Sequence, residues 1–453
     1  MIFEKLLQGQ PEGIFGIGYN DPSTVGIICT IILLILVVCG VRVVIAASIA
    51  GMIGLIELIG IGPALGNIGA IPYSKSVTFV LGLLPIFILI GFLAYQAGIT
   101  RQLFEAAKAW VGFVPGGLAV ATVFATAGFA AVSGASTATA AVFSRIAIPE
   151  MLKEGYDKKL AAGVVAAGGT LASLIPPSAI LIIYAIIVEE SVGALLLAGF
   201  LPGVFSAIIY ALIIILWAKK NPKLGPPSRK YSLNEKLKTL PGIIPIAVII
   251  SVIISAIYAG WATPTEAGSL GAFVVLLMAI YNKVKVSALK AALIETAKLV
   301  AMIFSIIWGV LVYVRFLGFA GLPNAFSNWI TSLDYAPLTI LLCILLVYAV
   351  LGMFMDAIGM LLLTLPVVQP AVIALGYDPI WFGIIVVKMA ELCLITPPIG
   401  LNCFVVSGVR PDIPVQDVFR GCAPFFVADV ITVGVLIAFP GIVLFLPNAM
   451  QLN

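Results

Sequence analysis

Along this chain apolar residues run together instead of alternating with polar ones. Runs long enough for a helix that crosses a lipid core, about 20 residues each, recur from Thr24 almost to the C-terminus. They predict spans near 24–40, 43–62, 76–97, 158–190, 193–218, 242–259, 264–281, 297–318, 379–408 and 424–446. Two stretches, near 101–112 and 284–297, are amphipathic instead. In the first, Leu103, Phe104, Ala107, Trp110 and Val111 share one helix face, with Arg101, Glu105 and Lys108 opposite. Such helices lie in the membrane interface, as arms between larger parts or as plain connectors.

Composition agrees with a membrane-embedded chain. Apolar residues make up 62% of the 453 positions and charged residues 10%, with a mean hydropathy of +1.21. A soluble domain needs about a quarter of its residues charged. The first 23 residues carry Glu4, Lys5, Glu12 and Asp21 and lack a cleavable signal pattern, so the first span is expected to stay in the product. Six scattered cysteines show no pairing or CxxC spacing and fit small core residues. With no histidine, zincin, haem-ligand and His-based acid–base chemistry are excluded. No cofactor is expected, and the basic stretch 219–238 fits an orientation signal better than a nucleic-acid patch.

The basic residues set orientation, because cytoplasmic loops are enriched in Lys and Arg. Of 24 such residues, 20 fall in clusters around 42, 101–108, 145–159, 219–238, 283–298 and 410–420. Keeping all of them cytoplasmic starts the N-terminus outside. It also forces 114–150 and 336–371 to enter the membrane and return to the same face. Ten crossings plus two re-entrant hairpins result.

An internal repeat organises the chain. Gly155-Tyr156-Asp157 recurs as Gly376-Tyr377-Asp378, Pro176-Pro177 as Pro397-Pro398, and Pro149 as Pro370, all 221 positions apart. An odd number of crossings separates the copies, so they insert in opposite orientations. That is the inverted-repeat design of secondary transporters, with the site near the bilayer midplane. The predicted fold is thus an all-α polytopic membrane protein with two hairpins and two broken spans. The divisions are an N-terminal extension 1–23, scaffold helices 24–75, a first repeat 76–218, a basic linker 219–241, scaffold and arm 242–296, a second repeat 297–446 and a tail 447–453.

The same offset pairs the irregular segments. Ser133-Gly134-Ala135-Ser136 aligns with Phe354-Met355-Asp356-Ala357 at the hairpin tips, and Gly168–Ser178 with Met389–Ile399 at the breaks. Glycine pairs and double prolines stop a helix, and unpaired backbone within the membrane is tolerated where it lines a cavity or binds an ion. Hydroxyls and carbonyls there suit a small alkali cation. Ser133, Ser136 and Thr170 with carbonyls near Gly134 and Gly169 form one candidate site. Thr396 with carbonyls around Met355 and Asp356, and the Asn402 amide, form the other. Helix starts at Pro177 and Pro398, with Ser178 and Asn402 beside them, turn positive dipole ends toward an anion. The small residues also have a plain packing reading, and Asp356 a helix-cap reading. Lys388 and Glu391 share a helix face, and each alone costs about 3 kcal/mol at the membrane centre. Mutual pairing is expected, as a structural ion pair beside the break or as a substrate contact.

These segments resemble one family. FVLGLLPIFILIGFLAYQAGIT (79–100), AAVSGASTATAA (130–141), IAIPEMLKEGYDKKLAAGVVAAGGTLASLIPPS (146–178), GWATPTEAG (260–268) and GYDPIWFGIIVVKMAELCLITPPIGLNCFVV (376–406) resemble the large, DctM-like membrane subunit of tripartite ATP-independent periplasmic (TRAP) transporters. The likeness runs from about 26 to 446. It implies the ion-transporter superfamily fold, an elevator mechanism and sodium coupling. It also implies an organic anion substrate (a carboxylate or sulfonate), a bacterial inner-membrane location, a separate small four-helix membrane subunit and a periplasmic substrate-binding protein. Carried over, the sodium sites fall on Ser133, Gly134, Ser136, Gly169 and Thr170 in one half, and on Met355, Asp356 and Thr396 in the other. A stand-alone sodium–organic anion symporter of the same fold and an ion channel are the competing readings. An intramembrane aspartyl protease needs a GxGD context that Tyr156-Asp157 lacks, so an enzyme is not expected.

Overall fold

Helices follow the apolar runs, and several of them end at glycine or proline, among them Gly98, Gly134 and the pairs Pro176-Pro177 and Pro397-Pro398. The computed structural model describes residues 21–76 and 79–451, so most of the N-terminal extension lies outside the described residues. No strand occurs among them. The chain opens with α1 (Pro22–Val38), α2 (Val43–Ile59), α3 (Ile61–Ser76), α4 (Leu83–Gln96) and α5 (Ile99–Val111). A first hairpin follows, α6 (Gly117–Ser133) and α7 (Ser136–Lys153), then α8 (Lys158–Thr170), α9 (Ala179–Val188) and α10 (Val192–Lys220). After the short α11 (Leu233–Thr239) come α12 (Ile244–Tyr258), α13 (Pro264–Tyr281), α14 (Val286–Ala320) and α15 (Leu322–Ser332). The second hairpin is α16 (Pro337–Gly352) and α17 (Ala357–Ala374), followed by α18 (Pro379–Cys393), α19 (Leu401–Val409), α20 (Val415–Ala438) and α21 (Gly441–Gln451).

The spacing of 221 reaches the backbone. α7 and α17 stand 221 apart at both ends. Gly155 and Gly376 both turn left-handed, at φ 82° and 87°. Asp157 and Asp378 then cap the next helix in each copy, accepting at 2.8 Å from the backbone N–H of Lys159 and of Trp381. Both Pro-Pro bonds, 176–177 and 397–398, are cis.

Elsewhere the two copies part. Gly98, left-handed at φ 76°, ends α4, and the amphipathic α5 leaves at 69° to it. The stretch 284–297, expected as a separate arm, instead forms the first turns of α14. No glycine or proline interrupts Val286 to Trp308, so one helix of 35 residues results. At 1.5 Å per residue it is about 50 Å long, well beyond a hydrocarbon core of about 30 Å. α3 was not foreseen: 62–72 holds three glycines and two prolines, yet the chain stays helical through Pro72.

Among the described residues, five helices are long and apolar enough to cross a membrane singly, or up to seven spans if each bent pair counts as one. Their outward faces are apolar as well. On α16, Leu338, Leu342, Leu346 and Val350 recur every four residues and are half to two-thirds exposed, while Leu341, Leu345 and Tyr348 are buried. A surface stripe of that kind fits hydrocarbon and not water. At the polar ends, Lys108 of α5 lies 2.8 Å from Glu154 beyond α7, and Ser228 of the linker donates to the same carboxylate. Burial pushes the Glu154 carboxyl up, but hydrogen bonds from Lys108 and Ser228 outweigh it and hold the group below its usual value.

α8 and α20 cross at glycines, as helices in membranes do where backbones must approach. A Cβ on Gly421 would overlap the carbonyl of Lys159, and one on Gly163 the backbone of Gly421. Gly421→Ala is therefore expected to lower stability by about 1–3 kcal/mol, seen as a lower unfolding temperature in detergent. Gly434→Ala, with no atom within 4 Å of the new Cβ, serves as the control. Equal stability of the two variants would show that the crossing tolerates a methyl group.

Candidate functional site

In the first half the hairpin tip nests on the helix break. α6 ends because Gly134 turns left-handed at φ 59°, which any residue with a Cβ resists. The Gly134 carbonyl accepts from the Ala179 N–H at 3.2 Å, and a Cβ there would overlap the Pro177 carbonyl. Ser136 and Ser173 share a hydrogen bond of 2.7 Å between hydroxyls, and Ser133 and Thr139 one of 2.9 Å. A Cβ on Gly169 would sit 3.0 Å from the Ser136 carbonyl. Ser178 donates to the Ser173 carbonyl and accepts from the Leu181 N–H, which caps α9. Ser133, Gly134, Ser136, Gly169, Pro177 and Ser178 thus meet at one buried place. Thr170 is buried too, but its hydroxyl donates to the Ala167 carbonyl at 2.7 Å and lies 3.4 Å from the Tyr210 hydroxyl.

The second half is more open. Asp356 caps α17, accepting from the Gly359 N–H at 2.9 Å, so its side chain does what the helix-cap reading expected. Met355 is buried beside it. Thr396 donates to the Leu392 carbonyl at 2.6 Å. The break that follows is exposed at Pro397, Pro398 and Ile399, whereas 171–180 are all buried. No hydrogen bond joins 354–356 to 394–400 among the described residues. The helix starts also differ from the sequence expectation. α9 begins at Ala179 and α19 at Leu401, two and three residues past Pro177 and Pro398, because Ser178 is extended as the N-cap of α9 and Gly400 turns left-handed at φ 44° before α19. Pro177 faces an apolar cavity of about 180 Å³ with Leu196, Phe200, Ile250 and Ile253. α19 has no side-chain cap, since Gly400 precedes it.

Each helix after a break packs on the other half's hairpin: α9 on α17, and α19 on α7 and α8. Tyr184 of α9 donates to the Pro379 carbonyl at 2.7 Å. Asn402 of α19 donates its amide to the Ala166 carbonyl at 3.1 Å, while its Oδ1 is buried without a hydrogen-bond partner. A buried acceptor in that state carries a desolvation cost that a cation or a donor would relieve.

Behind the breaks lies a cluster that sequence reasoning found only in part. Lys388 and Glu391 pair as expected, Nζ to Oε2 at 2.6 Å. Lys388 also lies 2.8 Å from Asp429 of α20, and Tyr210 of α10 donates to the same Asp429 oxygen at 2.7 Å. All three charged side chains are fully buried. Asp429 was visible as the one carboxylate within 424–446, but nothing in the sequence points it at Lys388.

Comparison with known proteins adds the following. Residues 26–442 match the family described as the tripartite ATP-independent periplasmic transporter, DctM component. The C4-dicarboxylate TRAP transporter large permease protein DctM of Pseudomonas aeruginosa is 35% identical over 382 residues, which cover 83% of this chain and 88% of that protein. The sialic acid TRAP transporter large permease protein SiaM of Vibrio cholerae is 32% identical over 372 residues, 82% of this chain and 86% of that one. The crystal structure of the Alcanivorax borkumensis YdaH transporter aligns with a TM-score of 0.55 at 13% identity, covering 83% of this chain and 88% of that chain. At that identity the likeness is one of fold.

Proposed function

The chain belongs to the DctM component family of tripartite ATP-independent periplasmic transporters, and from that premise we propose that it carries an organic anion inward, driven by a sodium gradient. As a multi-pass large permease subunit it moves a solute and is not an enzyme. The relatives named above transport C4-dicarboxylates and sialic acid by their names, which supports a carboxylate as cargo here; a sulfonate has the same charge. A separate small four-helix membrane subunit and a periplasmic binding protein complete the system, in a bacterial inner membrane.

The observation that carries the sodium reading is the contact of tip and break in the first half. In this reading sodium is taken there by hydroxyls of Ser133 and Ser136 and carbonyls at Gly134 and Gly169, on buried residues none of which is charged, as at the interrupted helices of transporters. Thr170 contributes through its backbone, since its hydroxyl donates to the Ala167 carbonyl. The second site takes its oxygens from around Met355, Asp356, Thr396 and Asn402. The anion lies between, toward the uncapped start of α19 and the exposed Pro398, with Ser178 on the closed side. The unequal cover of the two breaks supports an alternating-access cycle. In it the hairpins, α8–α9 and α18–α19 slide as an elevator against α1–α4 and α12–α14. An N-terminus outside, ten crossings and oppositely inserted copies complete this reading.

Uptake into proteoliposomes holding both membrane subunits tests it, with C4-dicarboxylate and sialic acid binding proteins supplied in turn. Uptake is expected only with an inward sodium gradient and a matching binding protein. Ser133→Leu and Thr396→Leu should each abolish the sodium-dependent part. Uptake by the large subunit alone would favour the stand-alone symporter, and unchanged sodium dependence in both variants would remove those residues from the ion sites.

A further inference from the structure

We propose that the buried cluster where α10, α18 and α20 meet is a proton-binding site, in which Glu391 is held as a neutral acid while Asp429 is the carboxylate paired with Lys388.

Charge counting leads there. One lysine faces two carboxylates, at 2.6 Å and 2.8 Å, and none of the three is exposed. With every group ionised the cluster carries a net charge of −1. A lone charge away from water costs several kcal/mol even after the protein relaxes around it. One proton makes the cluster neutral. The surroundings offer no other balance. Tyr210 from α10 is a neutral donor, and α8 contributes only the Thr170 hydroxyl behind it. Cys422, two turns before Asp429 on α20, faces Cys403 of α19, Sγ to Sγ 3.6 Å. No further ion-pair partner reaches Lys388, Glu391 or Asp429 among the described residues.

Hydrogen bonding decides which carboxylate keeps its charge. Asp429 Oδ1 accepts from both the Lys388 ammonium and the Tyr210 hydroxyl, and two donors on one oxygen stabilise the anion. Glu391 accepts from Lys388 alone, through Oε2. Glu391 Oε1 and Asp429 Oδ2 are both buried with no hydrogen-bond partner. With two donors on Asp429 and one on Glu391, the proton goes to Glu391, taken up from water as the cluster closes, with no other bond made or broken. An alkali cation is the poorer occupant, because the ammonium already fills the space between the carboxylates. The position 221 residues earlier is Thr170, also a neutral group that can donate a hydrogen bond.

Infrared difference spectroscopy of the full chain in lipid nanodiscs tests this without any transport assay, so its outcome is separate from that of the sodium reading. Wild type should show the carbonyl stretch of a protonated carboxylic acid at neutral pH, whether or not sodium is present. Carboxyl-¹³C glutamate should shift that band and labelled aspartate should not. Glu391→Gln should remove it. Asp429→Asn should remove it too, because Glu391 then ionises to pair with Lys388. Lys388→Met should instead double it. A wild type without the band, a band unmoved by the glutamate label or by Glu391→Gln, or a band seen only when sodium is withdrawn would each overturn the proposal. The labelled wild type decides the matter even if a variant fails to fold.

Discussion

Replacing Lys388 by methionine is expected to destabilise the protein by about 3–5 kcal/mol, the range for breaking a buried ion pair by removing one partner. The ammonium is the one cation in a fully buried site shared by α18 and α20. Without it Asp429 must take up a proton to stay buried, both carboxyls lose their charge-assisted donor, and Tyr210 is left alone to satisfy Asp429. The loss should be read as a shift of the unfolding midpoint in detergent or nanodiscs. The triple variant Lys388→Met, Glu391→Met, Asp429→Asn separates charge from packing. It removes every formal charge, keeps an acceptor for Tyr210 and is expected to recover most of the stability, as apolar replacements of buried ion networks often do. A single variant within about 1 kcal/mol of wild type would mean that the cluster holds little. A triple variant as weak as the single would trace the loss to shape instead of charge.

That cluster also marks where sequence reading stops. Lys388 and Glu391 were legible because three residues of helix place them on one face. Asp429 and Tyr210 come from helices 38 and 181 positions away from Glu391, and only the packing of α10 and α20 against α18 brings them in. The same division runs through the fold. Helix ends were readable at Gly134, Gly155, Pro176-Pro177 and Pro397-Pro398, since glycine and proline act locally on the backbone. Continuity across 284–320 was lost because an amphipathic stretch and an apolar one look like two elements, though nothing between them stops a helix. α3 was lost for the opposite reason: glycines and prolines suggested a loop, and packing beside α2 and α14 overrode them. At the candidate site, spacing brought the first tip to its break, but the unequal cover of the two breaks depends on α12 and α10 lying over 176–177. A repeat in sequence cannot encode that difference, which arises from what packs outside it.

Gly134→Ala is expected to cut sodium-dependent uptake about a hundredfold, the effect of displacing a binding group by about 1 Å. Two consequences of one methyl group add at this position. Gly134 holds φ 59°, and a left-handed residue with a Cβ costs about 1–2 kcal/mol. That Cβ would also overlap the Pro177 carbonyl, which lies on backbone held between Ser178 and the buried 171–176 segment and has no rotamer to yield. The tip must move instead. Its movement would break the hydrogen bond from the Ala179 N–H and draw Ser133 and Ser136 away from Gly169. Gly376→Ala isolates the first consequence, because φ there is 87° and no atom lies within 4 Å of the added Cβ. It should lower stability by about 1 kcal/mol and leave the sodium response of uptake within about twofold, roughly 0.4 kcal/mol. If both variants lost uptake equally, strain alone would explain the effect and the tip contact would have no special part. If Gly134→Ala transported normally, the first hairpin tip would not be where the coupling ion is held.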